Sequence, residues 1–147
     1  MTISIKTSAD IEAMRVDMVV IRHSSSGAAH YLSRRIQAHV VNAGDGFHEH
    51  PTQGLLDLYT IRERFPRLEG LRVTIVGDVA HSRVARSNIW ALSRVGARVT
   101  VCGPSTLLPA EIERLGVRVA RRLEEAVEDA QVVMVQRLQL ERMKGGF

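Results

Sequence analysis

Short apolar runs alternate with amphipathic stretches along this chain, so the hydrophobic period switches repeatedly between that of a strand and that of a helix. Ile11 and Met14, three apart, mark a short helix over 8–15. The run from Val16 to Ile21 reads as a buried strand, residues 28–37 as a helix, and His39-Val40-Val41 as a second strand. Asn42 to Gln53 is a polar loop in which Gly44 and Gly46 allow a sharp turn, and Pro51 suits the first turn of a following helix. That helix, over 54–65, gathers Leu55, Leu56, Leu58, Tyr59 and Ile61 on one broad apolar face.

After Pro66 and Gly70 the pattern restarts. A strand over 71–76, a helix over 84–95 and a strand over 98–102 make a βαβ unit, which requires parallel pairing and a right-handed crossover. A helix over 109–115, a strand over 117–119, a helix over 123–129 and a strand over 132–135 extend the same alternation. The expected fold is therefore α/β, with two partial parallel-sheet (Rossmann-like) domains joined by a helix. The break after Phe65 sets the expected domains at 1–66 and 67–147.

Composition narrows the function classes. The chain has 147 residues and a formal charge of +4, but its 20 lysines and arginines are scattered and only 4% of residues are aromatic. Nucleic-acid binding is therefore not expected, and anionic small molecules suit such arginines better. Cys102 is the single cysteine, which excludes an internal disulfide and a cysteine-rich zinc site; its place at the end of an alternating strand suggests a buried thiol. His48 and His50 lie two apart, without a His-Glu-x-x-His helix, so no metal is expected. No run of about eighteen apolar residues and no leader-like apolar core occurs, so the expectation is a cytoplasmic protein without membrane contact.

Candidate chemistry falls at strand ends, where ligands bind in open α/β sheets. Arg22 closes the first strand. His50 and Gln53 sit at a helix start that offers N–H groups to an oxygen. Gly77 to Arg83 occupies the place of a dinucleotide fingerprint but carries one glycine where three are needed, so no nucleotide or other cofactor is expected. Ser82 and Asp78 read as structural there. Arg83 opposes a helix dipole, which an anionic ligand would offset. Arg137 and Gln139 follow the last strand at alternate positions and so point the same way, with Glu141 and Arg142 beyond them as solvated charges.

The stretch Gly44-Asp45-Gly46-Phe47-His48-Glu49-His50-Pro51-Thr52-Gln53, followed by Leu55-Leu56-Asp57-Leu58, resembles the histidine-proline-threonine-glutamine signature of aspartate carbamoyltransferase. The runs Ile21 to Ala29, Val76 to Asn88, Gly103 to Pro109 and Arg137 to Arg142 are similar to that family in order and spacing. The resemblance implies a carbamoyl-phosphate domain over 1–66, an aspartate domain over 67–147, and direct attack of the aspartate amine with no protein nucleophile. It implies that Arg22, His50 and Gln53 are catalytic and bind carbamoyl phosphate: Arg22 and His50 donate to carbonyl or phosphate oxygens and Gln53 accepts from the carbamoyl amino group. It gives the aspartate carboxylates to Arg83, Arg137 and Gln139. Thr52, where ornithine-using relatives carry cysteine, favours aspartate.

The family's catalytic chain is about twice this length and forms active sites between subunits of a homotrimer, with a regulatory chain or dihydroorotase as further partners. Its upstream phosphate loop and its closing C-terminal segment have no counterpart here, so the chain reads as the middle of such a protein, with almost no turnover expected alone. A non-catalytic anion-binding or regulatory remnant is the alternative, and weak ligand binding without turnover would mark it.

Overall fold

The computed structural model describes residues 5–139, with side chains from Ser8 onward. The order is α1 (Ile5–Ala13), β1 (Met18–His23), α2 (Ala28–Ser33), β2 (His39–Asp45), α3 (Pro51–Arg64), β3 (Arg72–Gly77), α4 (Arg83–Arg94), β4 (Arg98–Cys102), two 3-10 turns (Ser105–Leu107 and Ile112–Leu115), β5 (Arg118–Ala120), α5 (Leu123–Val127) and β6 (Val132–Gln136). Two parallel sheets result, one of β1 and β2, the other in the order β5-β4-β3-β6. The α/β class with two parallel sheets read from the sequence is the class observed. In the second sheet β3 is flanked by β4 on one side and by β6 on the other, so the chain reverses its direction of travel across the sheet at the carboxyl ends of β3 and β6. In open α/β sheets a ligand crevice forms at such a point.

The core explains the second sheet. Val73, Ile75, Val99 and Val101 project from β3 and β4 onto Ala85, Ile89 and Leu92 of α4, with Ile61 of α3 and Leu71 at the margin. On the opposite face Cys102, Ala120 and Ala126 form a smaller cluster, and Thr74 donates its hydroxyl to the Ala126 carbonyl at 2.7 Å. The Cys102 thiol is buried, as its strand position suggests, and burial pushes its pKa up, with the nearby Glu125 and Glu124 adding to the rise. Ser82 caps α4 by accepting from the Ala85 N–H at 3.1 Å.

Several expectations change in detail. β2 runs on through Asn42 and Gly44 to Asp45, pairing with β1 across a register shift, so part of the expected polar loop is strand. The helix expected over 109–115 is cut to the second 3-10 turn, Ile112–Leu115, because Glu111 (φ 58°) and Gly116 (φ 78°) adopt left-handed backbone on either side of it. On α3 only Gly54 and Ile61 are buried, while Leu55, Leu56 and Tyr59 are exposed. Met18 and Val20 of β1 are exposed too. Glu141 and Arg142 lie outside the described residues. Among those described, no helix is long and apolar enough to cross a membrane, and no group of three potential metal ligands occurs.

Candidate functional site

The loop between β2 and α3 is built around Asp45, which is 1% exposed. It accepts from the Gly27 N–H at 2.7 Å, from Asn42 Nδ2 at 2.9 Å and from the Glu49 N–H at 3.1 Å, and contacts His48 Nδ1 at 3.2 Å. Burial alone would raise its pKa, but the bonds from Asn42, Gly27 and His48 hold it below the ordinary value. His48 is partly exposed and serves this hub.

Where α3 starts, it meets α4. Gly54 lets the helices close: a β-carbon there would stand 3.3 Å from Ser87 Cβ. His50 donates its backbone N–H to Ser87 Oγ at 2.9 Å, and the Ser87 hydroxyl donates to Glu49. One turn on, Asp57 accepts from Gln53 Nε2 at 3.0 Å and from Asn88 Nδ2 at 2.6 Å. Asn88 is fully buried and its Oδ1 has no hydrogen-bond partner among the described residues. Such an orphan costs about 1–3 kcal/mol, which the charge-assisted bond to Asp57 offsets.

Arg83, at the first position of α4, is only 6% exposed, and its guanidinium lies against the β2–α3 loop, with Nη1 3.4 Å from the Gly46 carbonyl. Glycine is required beneath it. A β-carbon on Gly44 (φ 111°) would stand 2.6 Å from Arg83 Cζ. At the end of β3, Asp78 is completely buried; it accepts from the His81 N–H at 3.1 Å and from the Gln139 N–H at 3.1 Å, and so ties the segment after β6 to the turn before α4. Ser82 adds a second tie, donating to Gln136 Oε1 at 2.8 Å while it caps the helix.

These elements enclose a cleft of about 480 Å3. Arg22 from β1 and His50, Gln53 and Asp57 from the α3 start line one side; Ser82, Arg83, Met134, Gln136, Arg137 and Gln139 line the other. All six residues singled out from the sequence thus meet on one cavity, with three guanidinium groups around it. Asp57, Ser87, Asn88 and Glu49 were not anticipated. The four-residue spacing from Gln53 to Asp57 along one helix was the available signal for Asp57.

Burial, then the charges of Arg83 and Arg22, lower the pKa of His50 from its ordinary 6.5, against an opposing pull from Asp57. His50 is therefore neutral at pH 7. Its Nδ1 lies 3.2 Å from Thr52 Oγ1, and in the tautomer that accepts from that hydroxyl the ring proton is on Nε2. Because the folded value lies below the unfolded one, the unfolded chain takes up this proton first. The stability tied to a neutral His50 is therefore whole above about pH 6.5 and declines as pH falls toward the folded value. An anion in the cleft would offset the two guanidinium charges and raise the proton affinity of His50. Sulfate, whose charge is constant in this range, is expected to bind a few-fold more tightly at about pH 5.5 than at about pH 7.5, with proton uptake. Calorimetry in two buffers of different ionisation enthalpy reads those protons, and proton release on binding would contradict the assignment.

Comparison with known proteins follows the same line. Residues 4–63 match the family model described as the carbamoyl-phosphate-binding domain of aspartate/ornithine carbamoyltransferase. The chain is 65% identical over 143 residues to the aspartate carbamoyltransferase catalytic subunit of Heliobacterium modesticaldum, covering 97% of this chain and 46% of that one. It is 59% identical over 141 residues to that of Desulforamulus reducens, covering 96% and 45%. Among solved structures it is similar to aspartate transcarbamoylase from Trypanosoma cruzi in complex with carbamoyl aspartate and phosphate, with a TM-score of 0.82, 28% identity and coverage of 97% and 50%. The catalytic subunit of M. jannaschii aspartate transcarbamoylase gives a TM-score of 0.77 at 37% identity, with coverage of 95% and 48%. The chain spans about half the length of the curated relatives it matches.

Proposed function

From the premise that this chain is a portion of an aspartate carbamoyltransferase catalytic subunit, we propose that its cleft binds carbamoyl phosphate against β1 and α3 and L-aspartate against α4 and the segment after β6. Residues 1–66 then form part of a carbamoyl-phosphate domain that ends in the connecting helix α3, and 67–147 form part of an aspartate domain. The observation that carries the reading is the convergence of Arg22, His50 and Gln53 with Arg83, Arg137 and Gln139 on one cavity.

The chemistry suits the residues. Arg22 and the neutral His50 donate to the carbamoyl carbonyl oxygen, where negative charge grows as the amine attacks and the carbon becomes tetrahedral. Gln53 accepts from the carbamoyl NH2 and fixes its plane. Arg83, Arg137 and Gln139 hold the two carboxylates, so the amine is delivered at bonding distance rather than activated by a protein nucleophile. The N–C bond forms, the C–O bond to phosphate breaks, and the amine proton leaves with the phosphate. Trimeric assembly, a regulatory chain or dihydroorotase as partner, a cytoplasmic setting and service to pyrimidine biosynthesis are proposed with the family reading. Turnover by the isolated 147-residue chain is expected to be nearly nil.

Isothermal titration with a bisubstrate ligand joining a phosphonate to an aspartate tests the reading. Saturable binding is expected, weakened about tenfold in His50→Ala, the scale of one hydrogen bond to a charged group. A folded chain that binds nothing would overturn it. Binding of the ligand unaffected by His50→Ala would instead favour a non-catalytic anion-binding remnant.

A further inference from the structure

Among the described residues that line the cleft Asp57 is the one carboxylate, in a place where negative charge works against every anionic ligand. Its hydrogen bonds give it another purpose. Gln53, one turn earlier on α3, donates Nε2–H to one oxygen at 3.0 Å, and Asn88, from α4, donates Nδ2–H to the other at 2.6 Å. A carboxylate can only accept, so Gln53 must turn its NH2 toward Asp57, and its carbonyl oxygen is left to accept from something else. Asn88 fills a fully buried position with one oxygen unsatisfied, where an apolar side chain would pack without that penalty. The fold keeps the amide for what its Nδ2 does, which is to hold Asp57 in place.

We propose that Asp57, braced by Asn88, is a positioning residue that fixes the Gln53 amide with its oxygen as the acceptor offered to the ligand, and so makes the cleft select an acyl phosphate carrying an NH2 group over one carrying a methyl group. The proposal rests on the carbamoyl phosphate reading of the cleft. Carbamoyl phosphate satisfies the Gln53 oxygen; acetyl phosphate, nearly the same in shape, leaves it unpaired in a partly desolvated site. Were Gln53 free to turn over, its NH2 would face the ligand and this discrimination would vanish.

The test is calorimetric titration of the chain and of Asp57→Asn with carbamoyl phosphate, acetyl phosphate and inorganic phosphate. The unmodified chain is expected to prefer carbamoyl phosphate over acetyl phosphate by about tenfold or more. In Asp57→Asn, where the new amide accepts or donates equally well, the ratio is expected to fall to about one, while the loss of a negative charge strengthens the binding of all three anions alike and leaves that ratio untouched. Asp57→Glu, which keeps an acceptor-only head group, is expected to recover part of the preference. An unchanged ratio in folded Asp57→Asn overturns the role of Asp57 and leaves the carbamoyl phosphate reading standing. An unmodified chain that binds carbamoyl and acetyl phosphate alike does the same, whereas a folded chain that binds none of the three overturns both readings. Should Asp57→Asn fail to fold, the Gln53 side-chain NH2 signals of the unmodified chain decide by nuclear magnetic resonance. They are expected to stay slow to exchange and nearly unshifted on saturation with carbamoyl phosphate. Large shifts, with the NH2 becoming a donor to the ligand, overturn the proposal.

Discussion

Gly77→Ala is expected to destabilise the chain by about 3 kcal/mol or more, read as a fall in the urea midpoint at unchanged protein concentration. Two effects add. Gly77 sits at φ 113°, a backbone region that residues with a β-carbon avoid, and the added carbon would stand 2.2 Å from the carbonyl oxygen of Gln136, its ladder partner on β6. The neighbouring strand leaves no room to retreat, since a β-carbon on Gly103 would itself stand 2.5 Å from the Gly77 carbonyl oxygen. Three backbones therefore close on one point, and relief requires β6 to move away from β3 where Gln136 and Arg137 enter the cleft. Gly116→Ala supplies the contrast: φ is 78° but no atom lies within 4 Å of the new carbon, so about 1–2 kcal/mol of backbone strain is expected and no more. Equal losses in the two variants would show that the close approach at Gly77 carries no energy.

Arg83→Met is expected to cost the bisubstrate ligand about a hundredfold in affinity, the scale of losing a buried bidentate partner of a carboxylate. The side chain is held inside the wall of the cleft, 6% exposed, so its head group is already ordered and a ligand carboxylate need not immobilise it. Arg83→Lys is expected to recover little, because a point charge on a flexible stem lacks the planar fork. Gly44→Ala provides a second arm that keeps the charge: by crowding Cζ it should displace the guanidinium and weaken binding in the same direction. Titration calorimetry checks all three. Wild-type affinity in folded Arg83→Met would remove Arg83 from the proposed aspartate site.

Much of the second sheet was legible because its central strand β3 is buried on both faces from Val73 to Ile75 and reads as a dense apolar run, and because Ser82 announces the start of α4. The first sheet was harder. Asn42, Gly44 and Asp45 look like loop residues, and they are strand because Asp45 pairs with His23 across an irregular step, a tertiary event no local pattern records. Periodicity placed Leu55, Leu56 and Tyr59 on a face of α3 but carries no information on what covers it; among the described residues these side chains are exposed. The six cleft residues were picked out by resemblance and by their place at strand and helix ends. Ser87 and Asn88 were out of reach, since their value depends on the crossing of α3 and α4 at Gly54.

The position of β6 also sets an order of events for a chain that folds as it is made. β3 is expected to pair first with β4, its neighbour through α4, whereas its other edge waits for a strand whose contacts, such as the Arg72 N–H to the Gln131 side chain, span 59 residues. Contacts of that separation form late, because closing the longer loop costs more entropy before any pairing rewards it. Arg137 and Gln139 ride on the end of this last strand. The cleft therefore closes only when the described chain is nearly complete, and a ligand that bridges its two sides would report the finished fold rather than any intermediate on the way to it.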